Sequence, residues 1–124
     1  MATILLVDDD ANFRSALERV LLLDGHSLHF AADMAAALEQ VEKGPVDVVI
    51  ADVNLCQESG LDLMTGLQQR RQGLPVILLS AAPDASSYLE ALRLGAYEYL
   101  AKPLDFTELR QVVRQALKPV GRPS

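Results

Sequence analysis

Four hydrophobic segments of the sequence each end in polar side chains that could hold a charged ligand. The polar residues that follow these segments are Asp8–Asp10, Asp52, Ser80 and Lys102. Carboxylates, an ammonium and a hydroxyl suit a phosphoryl group held by Mg²⁺, because Mg²⁺ prefers oxygen ligands and phosphoryl oxygens need cations and donors. These residue types therefore indicate phosphoryl chemistry, provided that the fold brings them together.

A parallel sheet would bring the four segments together. The apolar pattern alternates between strand-like runs and helix-like spacing, which is typical of βα units. The predicted strands are Thr3–Val7, Leu28–Ala31, Asp47–Ala51, Pro75–Leu79 and Tyr97–Ala101. The predicted helices are Ala11–Leu23, Met34–Lys43, Leu61–Arg71, Asp84–Leu94 and Phe106–Leu117. Right-handed crossovers would place helices on both faces, and open α/β sheets bind ligands at the carboxyl ends of their strands.

Residues typical of helix ends flank the predicted helices. Asp33 and Asp105 are the predicted N-caps of the second and fifth helices. Gly25, Gly44 and Gly95 are predicted to end the first, second and fourth helices, since glycine is the common residue at a helix C-terminus.

The composition indicates a single acidic domain. The chain has 124 residues, a net charge of −6 and a pI near 4.7. Domains cluster at about 100–150 residues, and an acidic surface argues against nucleic-acid binding by the domain itself. We expect residues 1–118 to form the domain and residues 119–124 to be a tail or the start of a linker.

The sequence also favours a cytoplasmic location. Its one cysteine excludes an internal disulfide, which fits a reducing compartment. The N-terminus lacks the basic region of a signal peptide, and no apolar segment approaches the ~20 residues that a membrane span requires. We therefore expect a cytoplasmic domain that does not contact a membrane.

Two roles are open for the acidic turn after the first strand. One aspartate there could cap the following helix, because the helix dipole favours an acidic N-cap. Two or three aspartates suggest more, and Asp8 and Asp9 could ligate Mg²⁺ together with a carboxylate from a neighbouring strand. Asp52 could supply that carboxylate, and it could also attack phosphorus to form an acyl phosphate.

The other polar residues each have a structural alternative. Lys102 could neutralise a phosphoryl oxygen, or it could be a solvated lysine at a strand end. Ser80 could donate a hydrogen bond to another oxygen, or it could belong to a turn. Tyr99 could be a core aromatic with a hydrogen-bonded hydroxyl. The placement of Lys102 and Ser80 after successive strands favours the functional interpretation.

Several segments together resemble the receiver domain of the two-component response-regulator family. They are Leu5–Asp10, Val49–Leu55, Gly60–Leu63, Leu79–Ala82 and Leu94–Pro103, and the resemblance runs from about Thr3 to Lys118. It implies a flavodoxin-like (βα)5 fold of the α/β class, a three-layer sandwich whose five-stranded parallel sheet has the order 2-1-3-4-5. It also implies a signalling phosphoacceptor rather than an enzyme acting on metabolites.

The resemblance assigns roles to the acidic residues. It implies that Asp52 accepts a phosphoryl group from a sensor histidine kinase or a phosphotransfer protein. Mg²⁺ would be ligated by Asp52 and Asp9 directly, by Asp8 mainly through water, and by the backbone carbonyl of Asn54.

The resemblance also implies how a signal leaves the site. Ser80 and Lys102 would bind phosphoryl oxygens, and Tyr99 would follow the movement of Ser80 as an aromatic switch. The surface of the fourth helix, fifth strand and fifth helix would then change, to control a transcription-regulating output module, a partner or a homodimer. Phe13 and Leu104 would dock the kinase, with a core position as the alternative for Phe13.

Some positions depart from the common pattern of the family. Cys56 and Gln57 stand where many receivers have a proline, which predicts a less stiff loop after the acceptor. Ser80 keeps the hydroxyl of the usual threonine and lacks its methyl group. Asn54 and Ala82 occupy positions that influence the phosphoryl lifetime in the family.

Three other functions fit parts of the pattern. A haloacid-dehalogenase-type phosphatase would use Asp52 as its nucleophile, but the general acid of that motif is replaced by Asn54. A nucleotide- or flavin-binding domain would need a glycine-rich phosphate loop, and neither common motif is present. An inactive receiver used as an interaction scaffold is the third alternative, although all five key side chains are present.

Overall fold

The computed structural model describes most of the chain. The described residues are 2–8, 10–55, 58–81, 84–102 and 105–118. Several predictions concern positions outside these ranges, namely those for Asp9, Cys56, Gln57, Ala82, Leu104 and the tail 119–124.

Over the described residues, five strands build one parallel sheet and five helices cover it. The strands are β1 (Thr3–Val7), β2 (Ser27–Ala31), β3 (Val48–Asp52), β4 (Val76–Ser80) and β5 (Glu98–Ala101). The helices are α1 (Ala11–Leu23), α2 (Met34–Lys43), α3 (Gly60–Arg70), α4 (Ala85–Arg93) and α5 (Phe106–Ala116). The order is β2-β1-β3-β4-β5 with parallel pairings, which confirms the predicted fold class and order 2-1-3-4-5. None of the helices in this described part is long and apolar enough to cross a membrane.

Two strands run one residue further than the apolar pattern predicts. β3 ends at Asp52 and β4 at Ser80, whereas the predicted ends were Ala51 and Leu79. The ladder continues past the apolar run, because Asp52 is in register with Leu79 and Ser80 is in register with Ala101. Both polar residues are therefore fixed by strand backbone rather than by a loop.

A short antiparallel pair follows β3 where the sequence predicts only a loop. Asn54–Leu55 pairs with Glu58–Ser59, and Asn54 lies opposite Ser59. Strands of two residues are too short to produce an alternation of polar and apolar side chains, so the hydrophobic pattern carries no signal for them.

Alternate residues of each strand pack against different helix layers, as the pleat of a β-strand requires. On one face, Leu5 and Val49 pack with residues of α2, α3 and α4. On the other face, Ile4 and Ile50 pack with residues of α1 and α5. Full burial of side chains of this size contributes about 1.5–3 kcal/mol each, so both layers fix the sheet firmly. The predicted three-layer arrangement is confirmed.

Aspartates cap four of the helices at their amino ends. Asp10 accepts hydrogen bonds from the backbone N–H groups of Asn12 and Phe13 and thereby starts α1. Because Asp10 performs the capping, Asp8 is not needed for it. The other aspartate N-caps, which include both predicted ones, are Asp33, Asp84 and Asp105.

Two glycines follow helix C-termini in the left-handed backbone region. Gly25 has φ +82°, and the C-cap of α1 is the preceding residue, Asp24, rather than Gly25 as predicted. Gly95 has φ +106° and follows Leu94, the C-cap of α4. Glycine adopts this conformation without the steric cost that other residues incur, which explains why both helices end there.

Arg71 joins the end of α3 to the connection between α2 and β3. Its guanidinium donates hydrogen bonds to the carbonyl oxygens of Val41, Gly44 and Val46 at 2.9, 3.0 and 2.5 Å. The last carbonyls of a helix lack partners within the helix, so a donor from outside stabilises this end of α2. A planar guanidinium can serve three acceptors at once, which an ammonium group cannot do with the same geometry.

We predict that Arg71→Lys lowers the free energy of unfolding by about 1–3 kcal/mol, because at least one buried carbonyl loses its donor. Urea denaturation followed by circular dichroism measures this change. Arg93→Lys is the matched control, since Arg93 pairs with Glu90 on the surface and exposed pairs contribute little. Equal stability of Arg71→Lys and the wild type would show that the hydrogen bonds of Arg71 to these carbonyl oxygens do not stabilise the fold.

His26 is a partly buried histidine at the junction of α1 and β2. Its Nδ1 atom is buried and has no hydrogen-bond partner among the described residues. Burial lowers the pKa of His26, and the charge of Arg114 lowers it further, while the nearby Asp24 carboxylate opposes the shift. The folded protein therefore binds a proton at His26 less readily than the unfolded chain does.

We predict that stability falls with acidification through this histidine. A histidine whose pKa is lower in the folded state stabilises the fold above its unfolded pKa of about 6.5, and this contribution is lost as the pH falls toward the folded pKa. The slope from one such group is at most about 1.4 kcal/mol per pH unit. Unfolding titrations between pH 7.5 and pH 5 should show a smaller slope for His26→Gln than for His29→Gln, whose histidine is exposed. Identical slopes in the two variants would contradict the assignment.

Candidate functional site

Four of the predicted site residues lie at one edge of the sheet. Asp8 follows β1, Asp52 and Ser80 end β3 and β4, and Lys102 follows β5. The backbone N–H of Lys102 donates to the carbonyl oxygen of Ser80 at 2.8 Å, so the ends of β4 and β5 remain paired up to the site. This is the carboxyl edge, where open α/β sheets bind ligands.

The ammonium of Lys102 lies between two carboxylates. Lys102 Nζ is 2.7 Å from Asp52 Oδ2 and 3.5 Å from Asp8 Oδ2. Their side chains are shielded from water: 22% of Lys102, 16% of Asp52 and 1% of Asp8 is exposed. A charge-assisted hydrogen bond in such surroundings is stronger than on an open surface, so Lys102 and Asp52 form the centre of the site.

Asp8 carries a buried and poorly compensated charge. Its Oδ1 accepts a hydrogen bond from the backbone N–H of Asp10 at 2.8 Å. Its Oδ2 is buried and has no hydrogen-bond partner within the described part of the chain. Burial raises the pKa of Asp8, and the nearby negative charge of Asp52 raises it further, although the Asp10 amide and Lys102 act in the opposite direction. Lys102 lies 3.5 Å from Oδ2 but is shared with Asp52, so a second cation near Oδ2 would complete the compensation of this charge.

Lys102 is held as a cation by its surroundings. Burial alone would lower its pKa, but the hydrogen bond to Asp52 and the charges of Asp8 and Asp52 outweigh burial, so the pKa lies above its usual value. The ammonium also lies over the ring of Phe13, 4.5 Å from the ring centroid. A cation at this distance is attracted to the ring face, so Phe13 helps to place Lys102.

Ser80 and Tyr99 are both buried. Ser80 is 3% exposed and Tyr99 is 7% exposed. The hydroxyl oxygen of Tyr99 is 2.9 Å from Ser87 Oγ on α4, and its ring contacts that of Tyr88 at a centroid distance of 5.9 Å. Tyr99 is thus a core aromatic with a bonded hydroxyl in this conformation, and it links β5 to α4.

The chemistry of this edge fits Mg²⁺. The cation prefers oxygen ligands, and the site offers the carboxylates of Asp8 and Asp52, one of which has a buried oxygen without a hydrogen-bond partner in the described ranges. The described residues contain no group of three or more acidic, histidine or cysteine side chains that could hold a metal. Asp9, the third predicted carboxylate, lies outside these residues, and Asn54 is placed by its strand backbone two residues after Asp52.

Two contacts of the site were not predicted from the sequence. The contact between Phe13 and Lys102 joins residues from opposite ends of the chain, and nothing in the sequence pairs them. The sequence does not indicate the contact between Ser87 and Tyr99. The spacing of Asp84 and Ser87 is typical of a capping box, but nothing in it points to a partner on β5.

The sequence and the fold of this chain are both similar to those of known proteins. Residues 4–114 match the family described as "Response regulator receiver domain". The chain is 36% identical over 124 residues to the DNA-binding transcriptional regulator NtrC of Rhizobium meliloti (strain 1021), a match that covers 99% of this chain and 26% of that protein. The chain therefore spans about a quarter of the length of this curated relative.

Solved structures share the architecture. A crystal structure of a response regulator receiver domain protein from Clostridium thermocellum has a TM-score of 0.87 at 28% identity, covering 94% of both chains. The solution structure of the beryllofluoride-activated NtrC4 receiver domain dimer has a TM-score of 0.90 at 22% identity, covering 95% of this chain and 98% of that chain, and shows the fold alone. Together with the match over residues 4–114, these similarities show that the chain belongs to the response regulator receiver domain family.

Proposed function

We propose that Asp52 accepts a phosphoryl group from the phosphohistidine of a sensor histidine kinase or phosphotransfer protein. The observation that carries this proposal is the hydrogen bond between Lys102 Nζ and Asp52 Oδ2 at 2.7 Å, beside the buried Asp8, at the ligand-binding edge of the sheet. Membership of the receiver family supports it, since receivers are the signalling modules of response regulators. The domain then carries out only its own phosphorylation and dephosphorylation.

The transfer makes one bond and breaks one bond at phosphorus. A carboxylate oxygen of Asp52 forms the new P–O bond as the P–N bond to the donor imidazole breaks, and the imidazole nitrogen keeps the electron pair. Lys102 exchanges Asp52 Oδ2 for a phosphoryl oxygen, and the hydroxyl of Ser80 donates to another oxygen. Positioning and charge are enough for this step, because phosphoryl transfer requires little covalent help from a protein.

The metal ligands in this proposal are Asp8, Asp9, Asp52 and the backbone carbonyl of Asn54. When bound, Mg²⁺ neutralises charge on the phosphoryl oxygens. The buried Oδ2 of Asp8 supports this set, because Lys102, its cationic neighbour at 3.5 Å, is shared with Asp52 and compensates its charge only in part. Asp52 serves both as metal ligand and as acceptor.

The surface that carries the signal in this proposal is formed by α4, β5 and α5. Tyr99 is the switch residue that responds to Ser80, and its position against α4 supports this role. Large apolar side chains of α4 point outward, with Tyr88 39%, Leu89 63% and Leu92 37% exposed. Such side chains suit a contact with an output module or with a second copy of the chain.

The biological setting of the proposal comes from the relatives. NtrC of Rhizobium meliloti is a DNA-binding transcriptional regulator, so we propose control of transcription through a further module of a cytoplasmic protein. The beryllofluoride-activated NtrC4 receiver domain is a dimer, and by analogy we propose a homodimer of the phosphorylated domain. Phe13, which lies beside Lys102, and Leu104 are the proposed docking residues for the kinase.

We predict a gain of one phosphoryl group on incubation with acetyl phosphate and Mg²⁺, measured by intact-mass spectrometry. Asp52→Asn should remain unmodified because it lacks the acceptor carboxylate, and EDTA should prevent the reaction of the wild type. Asp33→Asn is the matched control, since asparagine also caps helices well and Asp33 only caps α2. An adduct that persists in Asp52→Asn would show that another residue is the acceptor.

We predict that Lys102→Met slows phosphorylation about a hundredfold, as expected when one preorganised donor is lost from a site of charge development. The same mass assay, sampled over time, gives the rate. Lys43→Met is the matched control, because Lys43 forms an exposed pair with Glu39 on α2. A rate for Lys102→Met equal to that of the control would exclude a role of Lys102 in binding phosphoryl oxygens.

A further inference from the structure

The hydroxyl group of Ser87 lies between Tyr99 and the amino end of α4. Ser87 Oγ is 2.9 Å from the hydroxyl oxygen of Tyr99. The same Oγ donates to the carbonyl oxygen of Asp84 at 3.2 Å and accepts from its backbone N–H at 3.3 Å. The carboxylate of Asp84 accepts in turn from the backbone N–H of Ser87 at 2.8 Å, which completes a reciprocal capping box.

These three contacts use the whole hydrogen-bonding capacity of a serine hydroxyl. A hydroxyl has one proton to donate and two lone pairs to accept with. Either hydroxyl can be the donor in the contact between Tyr99 and Ser87 Oγ, so the two side chains share one hydrogen bond whichever way it runs. Tyr99 therefore supplies one of the bonds that hold the cap of a helix to which it does not belong.

Tyr99 also lies next to the strand that ends at the site. It is in register with Leu78 on β4, and two residues further along Ala101 is in register with Ser80. Its ring is buried in the same core layer as Ala91 of α4. A displacement at the end of β4 or β5 thus reaches Tyr99 through the strand pairing and core packing, and it reaches α4 through Ser87.

We propose that Ser87 is a positioning residue that couples the place of Tyr99 to the first turn of α4. When Tyr99 turns away from Ser87, the capping box loses a hydrogen bond and the amino end of α4 opens more often. This end carries the exposed side chains of Tyr88 and Leu89, so the coupling alters an apolar surface. The signalling meaning of the coupling rests on the proposed function, whereas the bond itself belongs to the unmodified fold.

Amide hydrogen exchange on the unphosphorylated chain, measured by NMR, tests the coupling. Tyr99→Phe removes the hydroxyl that bonds to Ser87 Oγ and leaves Asp84 and Ser87 unchanged. We expect the amides of Ser87 and Tyr88 to exchange about fivefold faster, the ratio that corresponds to one net hydrogen bond of about 1 kcal/mol. The amide of Leu109, which bonds to Asp105 at the start of α5, should keep its rate.

Three further variants make the result specific. Ser87→Ala should give an acceleration at least as large at the Tyr88 amide, and Ser87→Thr, which keeps a hydroxyl, should restore slow exchange. Tyr88→Phe is the matched control, since it removes the hydroxyl of an exposed tyrosine on the same helix. Unchanged exchange in Tyr99→Phe, or an equal acceleration in Tyr88→Phe, would overturn the coupling.

A second arm separates this inference from the proposed function. The wild type and Tyr99→Phe are treated with acetyl phosphate and Mg²⁺, and mass spectrometry counts the phosphoryl groups. In the phosphorylated wild type we expect faster exchange at Ser87 and Tyr88, and in Tyr99→Phe no further rise. An absent adduct would count against the proposed function and leave the first arm to decide the coupling. If the wild type gains the phosphoryl group but the amides of Ser87 and Tyr88 exchange at an unchanged rate, the proposal that Ser87 couples Tyr99 to α4 is wrong.

Discussion

One ammonium group balances two carboxylates at the carboxyl edge of this sheet, and the rest of the site is arranged around it. Lys102 reaches both Asp52 and Asp8, and a fourth residue, Phe13, lies beneath its charge. Because the side chains are shielded from water, each of these interactions is stronger than it would be on the surface. The balance is nevertheless incomplete, since an oxygen of Asp8 is buried without a hydrogen-bond partner in the described chain. The unmodified site is therefore ready for additional positive charge.

The frame of the molecule makes this crowding of charges possible. The central strands β1, β3 and β4 are buried on both faces, so ladder hydrogen bonds and two helix layers together fix these strands up to the site. Asp52 and Ser80 are the last residues of their strands and cannot separate without breaking those ladders. The cost of holding like charges close together is thus carried by hydrophobic packing elsewhere in the domain.

Local patterns in the sequence were sufficient to predict the alternating strands and helices and the common edge of the candidate site, whereas the strand order 2-1-3-4-5 was predicted from the resemblance to receiver domains. Buried parallel strands give continuous apolar runs, and Asp33 and Asp105 cap their helices as predicted from residue type and position. The two-residue strands after β3 escaped prediction, because no periodicity exists at that length. The contacts of Phe13 with Lys102 and of Ser87 with Tyr99 also escaped it. They depend on how helices pack against the sheet, which single-residue preferences do not encode.

The aspartates that cap the helices add to the negative charge at the edge of the sheet where the site lies. In a parallel βα fold every helix begins at the edge where a strand has just ended, so its N-cap shares that edge with the ligand. Acidic residues therefore accumulate there, namely Asp8, Asp10, Asp33, Asp52, Asp84 and Asp105. Their combined negative field extends over a distance of about 8 Å at physiological salt and attracts small cations before any contact forms. The aspartates that start the helices would therefore also raise the local concentration of the divalent cation that the proposed phosphoryl transfer requires.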